Sequence, residues 1–197
     1  APVLPGVVAV PAAEADYAEY MPSISNIMAF DSVDLVARVE GFLLKRNFKD
    51  GELVKKGQLL FQIEPEKYEA AVAAAEADLL KARADQKNST SDYERQKTLL
   101  AKDAVSRRKY DEAESQKMQS DAAVLAAEAK LKQAKLDLGY TKITAPFDGR
   151  MSFNRYSEGN LVSPASGTLA TLHRSGPVKV DFQLNELDLL RLMKSEP

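Results

Sequence analysis

From Glu66 to Leu100, and again from Arg107 to Leu138, the chain carries mostly Ala, Leu, Glu, Lys, Gln and Asp with no glycine or proline, which predicts two long helices. In the first, Tyr68, Val72, Ala75, Leu79, Ala82, Gln86, Ser89, Tyr93 and Gln96 recur at alternating steps of four and three, the seam of a coiled coil. Tyr110, Ala113, Lys117, Ser120, Val124, Ala127, Leu131, Ala134 and Leu138 repeat the pattern in the second. Folded back antiparallel, facing seam positions have residue numbers that sum to 206, which sets the reversal at Asp103. Tyr68 then faces Leu138, Val72 faces Ala134 and Ala82 faces Val124, so large side chains meet small ones. The layers Gln86/Ser120 and Ser89/Lys117 are polar, which predicts a weaker zone with the Lys117 ammonium directed to solvent. A helix of about 35 residues rises roughly 50 Å, so the hairpin is a spacer that presents its tip.

On either side the pattern changes to short β-branched and aromatic runs broken by glycine. Ala37, Gly41, Gly51, Leu53 and Val54 each have an identical residue 108 positions later, at Ala145, Gly149, Gly159, Leu161 and Val162. Two further residues then move Gly57 to Gly167 and Leu59 to Leu169. Asp50-Gly51 and Glu158-Gly159 are turn signals. Each half alone exposes an apolar face, so the two together predict one two-fold β-sandwich with the hairpin leaving at Pro65 and returning near Tyr140.

Composition narrows the function. Among 197 residues, 27 basic and 29 acidic side chains leave a net charge of −2, without the basic excess that nucleic-acid binding needs, so no nucleic acid is expected as a partner. There is no cysteine, the one histidine is His173, and the methionines are scattered. No catalytic, cofactor or metal site is therefore expected, and the chain reads as a non-enzyme. No run approaches the ~20 apolar residues of a membrane span.

The segments VEGFLLKRNFKDGELVKKGQLLFQIEPEKYEAA and LGYTKITAPFDGRMSFNRYSEGNLV, in the order half-motif, hairpin, half-motif, resemble the periplasmic adaptor or membrane fusion protein family. The likeness is to AcrA/MexA-type adaptors of resistance-nodulation-division (RND) multidrug pumps. It implies an elongated α+β chain: a lipoyl-like β-sandwich from two half-motifs, the inserted coiled-coil hairpin, and part of a β-barrel domain. The implied division is 1–12 (partial membrane-proximal segment), 13–32 (β-barrel segment), 33–65 (first half-motif), 66–138 (hairpin), 139–174 (second half-motif) and 175–197 (truncated β-barrel segment).

The resemblance also implies a role for the tip. Arg95, Leu99 and Ser106 stand at the spacing by which such adaptors dock into a TolC-type outer-membrane channel. The other implied partners are an inner-membrane RND transporter and further copies of the chain in a hexameric ring. The implied location is the periplasm of a Gram-negative bacterium, attached to the inner membrane, with a lipid anchor outside this chain left open. Read without the family, Arg95 is a solvated helix face, Leu99 packs the loop and Ser106 N-caps the second helix. Strands at residues 6–10 and near 23–30, a strand PVKVDFQL and a helix capped by Asn185 complete the expected elements. Most of the barrel is missing from this pattern, so the chain is expected to be a fragment.

Two alternatives stay open. One is an adaptor of an ABC or major-facilitator exporter. The other is a lipoyl or biotinyl carrier, but its lysine would need a tight β-turn between the halves, whereas Lys102-Asp103 falls at a helical tip.

Overall fold

The computed structural model describes residue 12 and residues 24–183. The expected strand at 6–10 and the Asn185-capped helix lie outside the described residues. The chain divides into two compact units, one of Ala29–Pro177 and one joining Ala1–Met28 to Val178–Pro197. In the latter, strands from the two flanks of the chain, β1 (Ser25–Ala29) and β10 (Val178–Phe182), pair in a two-stranded sheet.

The larger unit carries the sandwich and the hairpin. The first half-motif supplies β2 (Ser32–Val36), β3 (Gly41–Arg46), β4 (Leu53–Val54) and β5 (Leu59–Ile63). The second supplies β6 (Lys142–Thr144), β7 (Gly149–Met151), β8 (Leu161–Val162) and β9 (Thr168–Arg174). One sheet has the order β2-β9-β7-β4 and the other β6-β5-β3-β8. Replacing every strand by its repeat partner turns the first order into the second, so the internal repeat is a two-fold of the sandwich. Each sheet mixes strands of both halves, which is why neither half can close a core alone.

Hydrogen bonds obey the same two-fold. Gly51 N donates to Met151 O at 3.1 Å, and its mate Gly159 N donates to Leu43 O at 2.8 Å. Both glycines have left-handed φ, +76° and +87°, which is what the two turn signals require. The turn acids reach across as well. Glu158 accepts from Arg46 N at 2.8 Å, and Asp50 accepts from Asn154 N at 3.2 Å. Inside, Leu43, Leu60, Phe61, Ile63, Val162, Leu169 and Leu172 are fully buried. Burial and register correct one sequence alignment: Leu169 is the structural mate of Leu60, not Leu59. Thr144 pairs with Leu59 and Val36 with Thr168, and β5 and β9 then bury the same positions in step. The second half spends one residue fewer between its turn glycine and its strand.

Helix α1 (Glu66–Leu100) and helix α2 (Arg107–Tyr140) form the hairpin, α2 running two residues beyond the expected end. Every seam residue named above is buried or half-buried, while most other helix positions are exposed. The hairpin is fixed to the sandwich at its base. Tyr68 Oη donates to Glu40 O at 2.7 Å, Ile63 N donates to the buried Thr141 O at 2.8 Å, and the Arg38 guanidinium lies 5.0 Å above the Tyr140 ring.

The polar layers are connected rather than merely hydrated. Ser89 and Ser120 hydroxyls meet at 2.5 Å, and Asp121 accepts from Gln86 at 2.8 Å and from Lys117 at 2.7 Å. The expectation that Lys117 reaches into solvent is thus corrected. Its ammonium folds back one turn onto Asp121, because an acid four residues on is the nearer partner. Lys117, followed by Gln86, holds the Asp121 carboxyl below the usual carboxylate range. This contribution is present above the unfolded pKa of an aspartate and is lost as the pH falls through the lower folded value.

The reversal falls where the seam sum sets it. Ala104 N donates to Leu99 O at 2.9 Å and Asp103 N to Leu100 O at 3.0 Å, with Asp103 at φ +53°. This is a Schellman ending with aspartate at the left-handed position that glycine usually fills. Asp103→Gly is expected to stabilise the hairpin by about 0.5 kcal/mol, read from thermal unfolding followed by helical circular dichroism, because relief of the left-handed cost slightly exceeds glycine's added chain entropy.

Candidate functional site

The three tip residues arise from different local rules. Arg95 is off the seam, so its stem leaves the hairpin. Its side chain is 68% exposed, and among the described residues the acid within ion-pair distance is Asp92 at 3.8 Å, beyond hydrogen-bond reach. Leu99 lies one turn further on, half-buried, and its carbonyl accepts from two of the turn amides, Lys102 at 3.1 Å and Ala104 at 2.9 Å.

Ser106 stands at the N-cap of α2 with extended backbone (φ −75°, ψ 150°), but its side chain makes no capping bond. The residue is exposed, and its hydroxyl makes no bond to the helix. The side-chain capping anticipated for Ser106 is therefore absent; its carbonyl makes only the first bonds of the helix, accepting from Lys109 N at 3.0 Å and Tyr110 N at 3.4 Å. Arg95 and Leu99 thus share one end of α1, and Ser106 opens α2 at the same end of the hairpin. Lys102 sits in the helical turn, not in a β-turn between paired strands, which is unlike a carrier lysine.

Behind the tip lies a pair the seam arithmetic did not single out. Tyr93 was expected to face Ala113, but its hydroxyl meets that of Tyr110 at 3.0 Å, with ring centroids 5.5 Å apart. Two long aromatic side chains reach across to the diagonal position. The hydrogen bond that the Tyr110 hydroxyl donates to Tyr93, with burial and nearby Glu114 as lesser causes, pushes Tyr110 up to about 12. The protonated phenol is favoured by folding, so this contribution is complete below pH 10, the ordinary tyrosine value, and is lost as the pH rises through about 12. Tyr93→Phe is expected to return Tyr110 toward the ordinary value. Phenolate absorbance across an alkaline titration checks this, and an unchanged late-titrating tyrosine would refute it.

Two half-motifs that interleave into one sandwich and support a long inserted hairpin define the membrane fusion class of barrel-sandwich hybrids. The chain belongs to the RND membrane fusion protein (MFP) family, whose barrel-sandwich hybrid domain model matches residues 31–173. It is 40% identical over 169 residues to the efflux pump periplasmic linker BepF of Brucella suis, covering 86% of this chain and 41% of that protein. It is 37% identical over 165 residues to the multidrug efflux pump subunit AcrA of Escherichia coli, covering 83% and 42%. Among solved structures, a MacA-MexA chimera carrying the Pseudomonas aeruginosa MexA α-hairpin aligns at TM-score 0.60 and 33% identity, covering 85% of this chain and 56% of the chimera. MacA of Actinobacillus actinomycetemcomitans aligns at TM-score 0.63 and 26% identity, covering 85% and 57%. The chain therefore spans about two-fifths of the length of these curated relatives.

Proposed function

We propose that the chain is the hairpin and sandwich portion of a periplasmic adaptor that links an inner-membrane, proton-driven RND transporter to a TolC-type outer-membrane channel for efflux. The domain limits are those set out from the sequence. Arg95, Leu99 and Ser106 dock against the channel, and the sandwich packs against neighbouring copies in a ring, hexameric by family resemblance. The role is noncatalytic: the adaptor bridges, and exported compounds pass through the assembled duct. The periplasm, at the inner membrane, is the corresponding location.

The observation that carries this reading is the exposed chemistry of the tip: a largely exposed guanidinium, a half-buried leucine and a serine hydroxyl with no capping bond, at the end of a long helical hairpin. Arginine supplies forked donors to carbonyls or carboxylates, and the hydroxyl can donate once more. The relatives at 37% to 40% identity are efflux pump proteins, and the RND character of the matched family supports that branch over the ABC and major-facilitator alternatives.

The test is a photo-crosslinking residue at position 95 of the full-length protein in its native cells. Capture of an outer-membrane channel is the expected outcome. Crosslinks confined to the hairpin, with abundant folded protein, would overturn the docking assignment.

A further inference from the structure

The outermost part of the hairpin is unlike the rest of the molecule in charge. Residues 95–109 hold six cations, Arg95, Lys97, Lys102, Arg107, Arg108 and Lys109, against the single acid Asp103, a net +5 in a chain of net −2. The acids nearest in sequence, Glu94 and Asp111, stand no closer to the reversal than Arg95 does. Little of this charge is neutralised. Arg108 pairs with Glu112 at 2.8 Å, but Lys102, Arg107 and Lys109 are exposed and have no ion pair among the described residues.

Three of the cations are also placed against the grain of the fold. Arg107, Arg108 and Lys109 occupy the first turn of α2, which contains no acid, where the positive end of the helix dipole disfavours them. Arg108 has Glu112 as its partner, but stability of the free hairpin gives no reason for Arg107 and Lys109. A partner does.

We infer that this apex is a cationic docking surface for a carboxylate-lined groove on a protein, with Lys102 and Arg107 steering the encounter that Arg95, Leu99 and Ser106 complete. The inference rests on the adaptor reading and adds the chemistry of the partner's surface. Charge of one sign concentrated on a projecting tip raises the association rate with a surface of the opposite sign, and salt removes the advantage. An anionic lipid surface shares this charge, but the apex lacks the apolar component that a membrane-seated segment inserts. Large hydrophobics are exposed at Leu80 and Met118 but at none of the positions between, and Leu99, Leu100 and Val105 are half-buried.

The experiment uses the full-length adaptor and the channel recovered by crosslinking at position 95, reconstituted in nanodiscs, with association followed by interferometry at low and high salt. The double variant K102E/R107E is expected to slow association about tenfold at low salt and about twofold or less at high salt, while leaving helicity unchanged. The charge-preserving K102R/R107K is expected to associate as the wild type does. If the channel is captured but K102E/R107E associates at the wild-type rate at low salt, the steering inference is wrong and the adaptor reading stands. If no channel is captured, the adaptor reading fails and takes the inference with it. Phosphatidylglycerol vesicles serve as the second probe: cosedimentation lost in K102E/R107E, with channel association unaffected, would overturn the proposal in favour of a lipid surface.

Discussion

Arg95→Asp in the full-length protein is expected to abolish efflux while leaving the adaptor folded and at its normal level. The structure separates these two effects. Arg95 is 68% exposed, off the seam, and 3.8 Å from its nearest acid, so removing its guanidinium breaks no strong contact within the hairpin. A new carboxylate beside Asp92 and Glu94 weakens an exposed helix by only about 0.5 kcal/mol. At a docked tip the same change replaces a donor with a like charge facing the acceptors that held it, which lowers affinity about 100-fold or more. The readout is growth in the presence of pump substrates, with protein level and circular dichroism measured alongside. Wild-type resistance at wild-type abundance would show that Arg95 is only a solvated helical residue.

The largest effect on stability is expected at Gly149. A Cβ built there would lie 2.3 Å from the His173 carbonyl oxygen and 3.0 Å from Leu172 Cδ1, and the first of these is backbone in the neighbouring strand. Gly149 pairs with Arg174 in the β7-β9 ladder, so relief requires the ladder itself to move. Gly149→Ala is expected to cost about 3 kcal/mol or more, enough to leave much of a marginal sandwich unfolded. Its repeat mate is an internal control. At Gly41 the Cβ would meet Ile63 Cγ2 at 2.8 Å, a methyl of a fully buried side chain, so relief there takes side-chain repacking rather than movement of a neighbouring strand's backbone. Gly41→Ala is expected to cost about 2 kcal/mol, less than Gly149→Ala. Chemical denaturation of the two variants side by side checks the ranking, and equal losses would mean that repeat position, rather than the neighbouring backbone, sets the cost.

The hairpin was legible because a coiled coil writes its geometry into one periodicity. The seam and the reversal at Asp103 both follow from positions of Ala, Leu and Val. Side-chain reach was not legible in this way: Lys117 turned to Asp121, and Tyr93 reached Tyr110 across the diagonal, because long polar and aromatic groups choose among several neighbours. The repeat was visible through its glycines, yet these mark turns rather than strands. Leu60 and Leu169 therefore matched only once the ladders were known. At the tip, the residue types of Arg95, Leu99 and Ser106 could be read, but the unbonded Ser106 hydroxyl could not, since capping geometry depends on a rotamer. The apex charge was open to reading in the run RRK at residues 107–109 and was hidden by a nearly neutral whole-chain total.

The interleaving of the two halves also bears on how the molecule assembles in time. A sandwich whose every sheet needs both halves must bring together segments separated by the whole length of the hairpin, and contacts so distant in sequence make for slow closure. Here the intervening chain is not a loose loop. A helical hairpin that closes from the reversal at Asp103 through local contacts brings Pro65 and Thr141 together, at the base where Ile63 N donates to Thr141 O at 2.8 Å. Along such a route the entropy of joining the ends is lost in small steps. The hairpin that reaches outward in the finished molecule is therefore expected, during folding, to gather the sandwich.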